Sequence, residues 1–226
     1  MPKIKMPRSS PALDMTPMVD LAFLLVTFFM LTASFRSSEP VMVDTPSATT
    51  EKLLPDNYLL VTVDKDGKAF FHITGQTVRA KLLGDMGAKY SIEFTDEEKK
   101  RFSVMTSFGV PIKDLKKYIA MEEGERSKFE SPGIPLDSTD NQLSQWIFNG
   151  YISYQLDLQA MKQKADESGQ PFNLQDKKLR FAIKADANAP YVKVKDVIET
   201  FTDKEIYQFQ MITSMEEAPA EVKPKK

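Results

Sequence analysis

The chain has 226 residues, an ordinary 42% hydrophobic content, and thirty basic against thirty-two acidic residues. The net charge of -2 provides no field to gather nucleic acid or an acidic substrate, so no nucleic-acid partner is expected. With no cysteine, disulfides, thiolate zinc sites and thiol nucleophiles are excluded, although either redox compartment is allowed.

Residues 1–14 are basic and broken by Pro2, Pro7 and Pro11, which suits an irregular tail rather than a helix. The chain then becomes strongly apolar. Leu21 to Ala33 contains no charge, and Met18 to Phe35 is apolar apart from Asp20 and a few hydroxyl residues. A helix over that stretch would rise roughly 27 Å, close to the hydrocarbon core of a bilayer. A cleaved signal peptide is the competing reading. The carboxylate inside the apolar run, the bulky Phe28, Phe29 and Met30 at its end, and the lack of a clear small-x-small site before Arg36 favour a retained anchor over 15–36. Lys3, Lys5 and Arg8 precede it, while Glu39, Asp44 and Glu51 follow Arg36. Basic flanks stay in the cytoplasm, so the N-terminus should be cytoplasmic and the long C-terminal part outside the membrane. In a bacterium with an outer membrane, that compartment is the periplasm.

Residues 37–57 hold Pro40, Pro46, Pro55 and a Ser/Thr cluster, the composition of an extended linker. Within it, Val41 to Val43 could form a short strand, paired with a partner chain. Tyr58 to Val63, the turn pair Asp66-Gly67, and Lys68 to Ile73 read as a hairpin. The segment Asp64-Lys65-Asp66-Gly67 resembles the start of a calcium loop, but the downstream ligands are missing and a turn is expected. The single histidine, His72, lies in this apolar second strand, where a locally satisfied side chain is expected rather than a ligand or base. From Gln76, the spacing of Val78, Leu82, Leu83 and Met86 predicts a helix weakened at Gly84 and ended at Gly87.

The region 88–175 is dense in charge. Thr95 should cap a short helix, Pro111 to Met121 should form another, and Ser131 to Pro135 should be a loop. Asn141 to Lys164 reads as a longer helix interrupted by Gly150. Trp146 and the nearby tyrosines could form a contact surface, although a buried helix face is the plainer reading. Leu179 to Lys184, Val192 to Thr202 and Ile206 to Thr213 then alternate strand, helix and strand, a β-α-β unit. The final residues, 215–226, should be disordered. The expected fold is a single N-terminal transmembrane helix plus an α+β periplasmic domain over 58–214, with helices packed on one face of a small mixed sheet.

The chemistry points to Asp20. An ionised aspartate in hydrocarbon costs about 2.5 to 3.5 kcal/mol, so it belongs at the interface, reaching cytoplasmic water, or against another protein where it serves a function. Both readings stay open on hydropathy alone. Thr16 and Thr27, at i-4 and i+7, share its helical face and could supply hydrogen bonds or hold a water. A carboxyl can take up and release single protons without a cofactor, metal or nucleophile. No Ser/His/Asp, metal or phosphate-loop constellation appears, so no enzyme is expected. Asp186, on a tight loop after a strand, could in principle be a catalytic acid, but a turn or helix-entry role is expected.

The run Asp14-Met15-Thr16-Pro17-Met18-Val19-Asp20, followed by LAFLLVTFFMLTASF, closely resembles the start of the ExbD/TolR family of biopolymer transport proteins. So do Val41 to Pro46, and LRFAIKADANAPYVKVKDVIETF, in which Lys184, Ala185, Asp186, Pro190 and Tyr191 occupy the family's loop pattern. Residues of about 88–175 depart from the family's compact domain and read as a large insertion. The resemblance implies that Asp20 is the family's essential membrane aspartate, and that the chain works as a dimer inside a pentameric ExbB/TolQ-like channel in the bacterial inner membrane. Protons passing Asp20 would then drive a TonB-like transducer that opens outer-membrane transporters. A TolR-like role in envelope integrity, through a TolA-like partner, is the nearest alternative. A passive anchored module that grips peptidoglycan or another envelope protein is the alternative of a different class.

Overall fold

The structure is a computed structural model that describes residues 15–32, 43–45, 47–48, 56–126, 128–137, 140–169, 171–212 and 214–215. It divides into two compact units, Met1–Ser37 and Ser38–Lys226.

The first unit contains α1, Thr16–Thr32. Its residues are apolar apart from Thr16, Asp20, Thr27 and Thr32, and none is buried. The sequence predicts a longer span, 15–36. The described helix has 17 residues and a rise of about 26 Å, against a hydrocarbon core of about 30 Å. Among the described residues, no helix is long and apolar enough to cross a membrane. Positions 33–36 of the expected span and the tail 1–14 lie outside the described residues.

The second unit is an α+β domain. In chain order it holds β1 (Ser47–Ala48), β2 (Tyr58–Val63), β3 (Ala69–Ile73), α2 (Gln76–Tyr90), α3 (Asp96–Val104), α4 (Ile112–Ala120), α5 (Glu123–Arg126), β4 (Leu136–Asp137), β5 (Asp140–Asn141), α6 (Gln142–Ser168), β6 (Arg180–Ala185), α7 (Tyr191–Thr202), β7 (Phe209–Ile212) and β8 (Ser214–Met215). The main sheet runs β3-β2-β6-β7. β2 and β3 are antiparallel, whereas β6 lies parallel to both β2 and β7, which makes the sheet mixed. The hairpin turn closes through Gly67, whose φ of 77° suits a residue without Cβ. The parallel β6-β7 pair joined by α7 is the expected β-α-β unit.

Both faces of the sheet are covered near β3. Leu59, Val61, Phe71, Ile73 and Ile183 lie on one face and are buried. α6 crosses this face at Gly150, where an added Cβ would sit 3.3 Å from Phe71 and Ile73. On the other face, the backbone at Gly109 closes over Phe70 so tightly that an added Cβ would sit 2.3 Å from the ring.

Two glycines contradict the rule that glycine ends helices. α6 is unbroken through Gly150, because the missing side chain lets the helix lie directly on the sheet. α2 likewise continues past Gly87 to Tyr90. A Cβ at Gly87 would come within 2.5 Å of the Ile92 carbonyl oxygen and 2.8 Å of the Phe94 ring, so this glycine serves close approach. The helix stops instead at Ser91, in the left-handed conformation at φ 55°. Thr95 does cap α3, through a reciprocal box with Glu98.

Helices α3, α4 and α6 share the sheet's hydrophobic core. Trp146 is fully buried, with ring centroids 4.8 Å from Phe108, 6.0 Å from Phe71 and 6.2 Å from Phe102. It belongs to the core, as the plainer reading of α6 expects. Buried Gln142 ties these helices together by accepting a hydrogen bond from the Ile112 amide at 3.0 Å, at the start of α4. The expected linker strand falls partly on Val41 and Met42, outside the described residues. Val43 is irregular, and the first strand after α1 is β1, paired in parallel with β8 of the same chain. Residues 216–226 of the expected disordered tail also lie outside the described residues.

Candidate functional site

Asp20 occupies the first half of α1 and is exposed. Helical spacing sets Thr16 about 6 Å before it and Thr27 about 10 Å after it along the axis, on the same face. The Thr27 hydroxyl donates to the helix's own carbonyls, Leu24 O at 2.9 Å and Phe23 O at 3.0 Å. Its proton is therefore engaged by the backbone, and its oxygen is what it can offer a water or partner. Around Asp20, large apolar side chains from Met18 to Leu31 are exposed on every side of the helix. Such a surface calls for cover by lipid or protein. Asp20 is the only charged group in the helix, so whatever covers α1 must accommodate one carboxyl.

Asp186 and Tyr191 belong to the other compact unit. Asp186 follows β6 and accepts two hydrogen bonds from backbone amides: Asn188 N at 2.8 Å and Asp44 N at 3.1 Å. These bonds, that from Asn188 foremost, hold its carboxyl below the usual carboxylate range. The Ala187 amide returns a bond to the Asp44 carbonyl at 2.8 Å. Asp186 thus organises a turn and fastens the linker at Asp44, which is the turn role expected for it. β6 pairs with β7 as far as Lys184 and Ile212, and β1 then pairs with β8 from Ser47 and Ser214. Past Asp186, the linker takes over the partner role that β6 gives up. Tyr191 opens α7 with 76% of its surface exposed.

His72 is mostly buried, 5.1 Å from the Tyr58 ring between centroids. Loss of solvent, with the nearby Arg79 charge second, lowers its pKa to about 4, so it is neutral near pH 7 and acts as an aromatic strand residue. Among the described residues, no group of three or more His, Asp or Glu side chains is placed to hold a metal.

Sequence reasoning missed two features. A groove of about 980 Å³ opens beside β7, with Phe148 and Tyr151 of α6, Phe181 of β6, Tyr207 and Phe209 among its walls. Apart from Phe148 and Tyr151, one turn apart on α6, these aromatics are scattered over more than sixty positions, so only the crossing of α6 over the sheet assembles them. The docking of Asp44 on Asp186 was equally invisible, being a contact between residues 142 positions apart.

A family model described as "Biopolymer transport protein ExbD/TolR" matches residues 6–216. No curated protein and no solved structure matches the chain.

Proposed function

Because the chain belongs to the ExbD/TolR family, whose members serve as energy transducers in biopolymer transport with ExbB/TolQ-type partners, we propose that Asp20 is its proton-carrying group. In this reading, residues 15–36 anchor the chain in the bacterial inner membrane, with the N-terminus cytoplasmic and the α+β domain periplasmic. Two copies sit within a pentameric ExbB/TolQ-like channel subunit. Protons enter from the periplasmic side, protonate Asp20, and leave inward, and the resulting movement is passed to a TonB-like transducer that opens outer-membrane transporters. A single charge crossing a potential of about 170 mV releases roughly 4 kcal/mol, enough to bias a movement between two packed arrangements.

One observation carries the reading: Asp20 is the only ionisable group in α1, a helix of otherwise apolar and hydroxyl side chains among which none is buried. A charge there is costly unless it has work to do. The TolR-like role in envelope integrity uses the same carboxyl and differs only in the downstream partner. A passive anchor that grips peptidoglycan needs no titrating group at this position. Asp20→Asn separates motor from anchor, because the amide keeps the shape and hydrogen bonding of the carboxyl but cannot take up a proton. Energised uptake in cells carrying only the variant should be abolished while the protein still accumulates in the membrane. Uptake at the wild-type rate would refute the proton role.

A further inference from the structure

Helix α6 buries one side, through Leu143, Trp146, Ile147, Tyr154 and Leu158. Its opposite side carries Phe148, Ile152 and Leu156, which are 44%, 38% and 42% exposed. Spaced by four, they form one outward strip. Gln145, Asn149, Gln155, Gln159 and Gln163 fall on the same side at 100° per residue. From Gln145 to Gln163 the strip therefore has no charge of its own, in a chain where 27% of residues are charged; Asp166 and Glu167 join the same side only in the last turn of α6. At one edge the Lys204 ammonium lies 5.4 Å from the Phe148 ring centre, and Lys89 hydrogen-bonds Gln145.

The strip reads the same in both directions. Phe148 and Leu156 lie equally far on either side of Ile152, as do Asn149 and Gln155, and Gln145 and Gln159. A two-fold axis through Ile152, perpendicular to the helix, would set phenylalanine against leucine and Ile152 against itself, flanked by the half-exposed amides of Asn149, which donates to Met86 Sδ at 3.4 Å, and Gln155. Such pairing is what an isologous contact requires, and an antiparallel pair of helices at 8–10 Å is ordinary packing. A charged or lopsided strip would instead favour a different partner. We propose that this face of α6 is an antiparallel contact with a second copy of the chain. The inference rests on the reading that two copies share one channel. Holding them together supplies the millimolar effective concentration that so narrow a strip needs.

The absence of cysteine makes the test direct. Single-cysteine variants of the full chain, produced in membranes with the channel subunit, are oxidised mildly and run without reductant. Ile152→Cys, on the axis, should become a covalent dimer in high yield. Phe148→Cys should link poorly to itself but efficiently to co-expressed Leu156→Cys. Val192→Cys, at the start of α7 and 65% exposed before substitution, reports random collision. Linking of Ile152→Cys no greater than that of Val192→Cys would overturn the contact, and self-linking of Phe148→Cys as strong as its linking to Leu156→Cys would overturn its antiparallel sense. The mass of the purified assembly keeps the two ideas apart. Two copies per channel with no Ile152 link sink this contact alone, whereas a single copy per channel sinks both it and the dimeric reading.

Discussion

Helices α1 and α6 are both rich in large apolar side chains, but α6 buries half of them in its own compact unit, while α1 has none buried. α6 places Trp146 among Phe71, Phe102 and Phe108 and lies against the sheet at Gly150, leaving one strip outside. α1 leaves every large side chain exposed and adds a carboxyl to them. A helix satisfied by its own fold contributes stability. One with no buried side chain that also carries a charge adds nothing of that kind to its own compact unit.

The contrast can be broken most forcefully at Trp146. Trp146→Ala should cost about 3 to 5 kcal/mol, the range for emptying a large aromatic site. Phe23→Ala on α1 should leave the unfolding of the α+β domain where it was. Chemical denaturation of the two full-length variants, followed by circular dichroism because Trp146 is the sole tryptophan, checks both. Equal effects would mean that α3, α4 and α6 are not part of the core.

A second test uses the buried histidine. His72 has its pKa lowered from 6.5 to about 4 in the fold, so the unfolded chain takes up the proton first as pH falls. Its stability contribution is complete above about pH 6.5, shrinks through the window down to about pH 4, and is worth at most about 3 kcal/mol. The domain should lose stability across that window, and His72→Phe should lose less. A variant with the wild-type pH profile would show that the ring is not desolvated.

The smallest effect belongs to Asp186. Its lowered pKa means that the carboxylate supports its turn above the ordinary carboxylate range and loses that support as acid protonates it. Asp186→Ala should speed hydrogen exchange at the Asp44 and Asn188 amides several-fold, with little change in the overall denaturation midpoint. Unchanged exchange at Asp44 would remove Asp186 as the fastening of the linker.

Much of this was legible in the sequence. Asp20 stood out as the only charge in an apolar run, and periodicity was sufficient for the β2-β3 hairpin, the Thr95 cap of α3 and the β6-α7-β7 unit, since each is specified by residues near one another. Gly87 and Gly150 misled because a glycine in a helix signals weakness locally, while its value here lies in contacts with Ile92, Phe94, Phe71 and Ile73 that only the tertiary fold creates. The groove beside β7 and the catch of Asp44 by Asp186 were hidden for the same reason. Long-range geometry leaves no periodic trace.

The central claim is that the charge on α1 moves protons. The measurement that tests it most directly is proton flux into vesicles that hold the chain together with its channel subunit, under an imposed membrane potential and with the transducer present. Wild-type vesicles should acidify, and Asp20→Asn vesicles containing the same amount of correctly assembled complex should fall to the level of empty vesicles. Equal flux through the two would contradict the account.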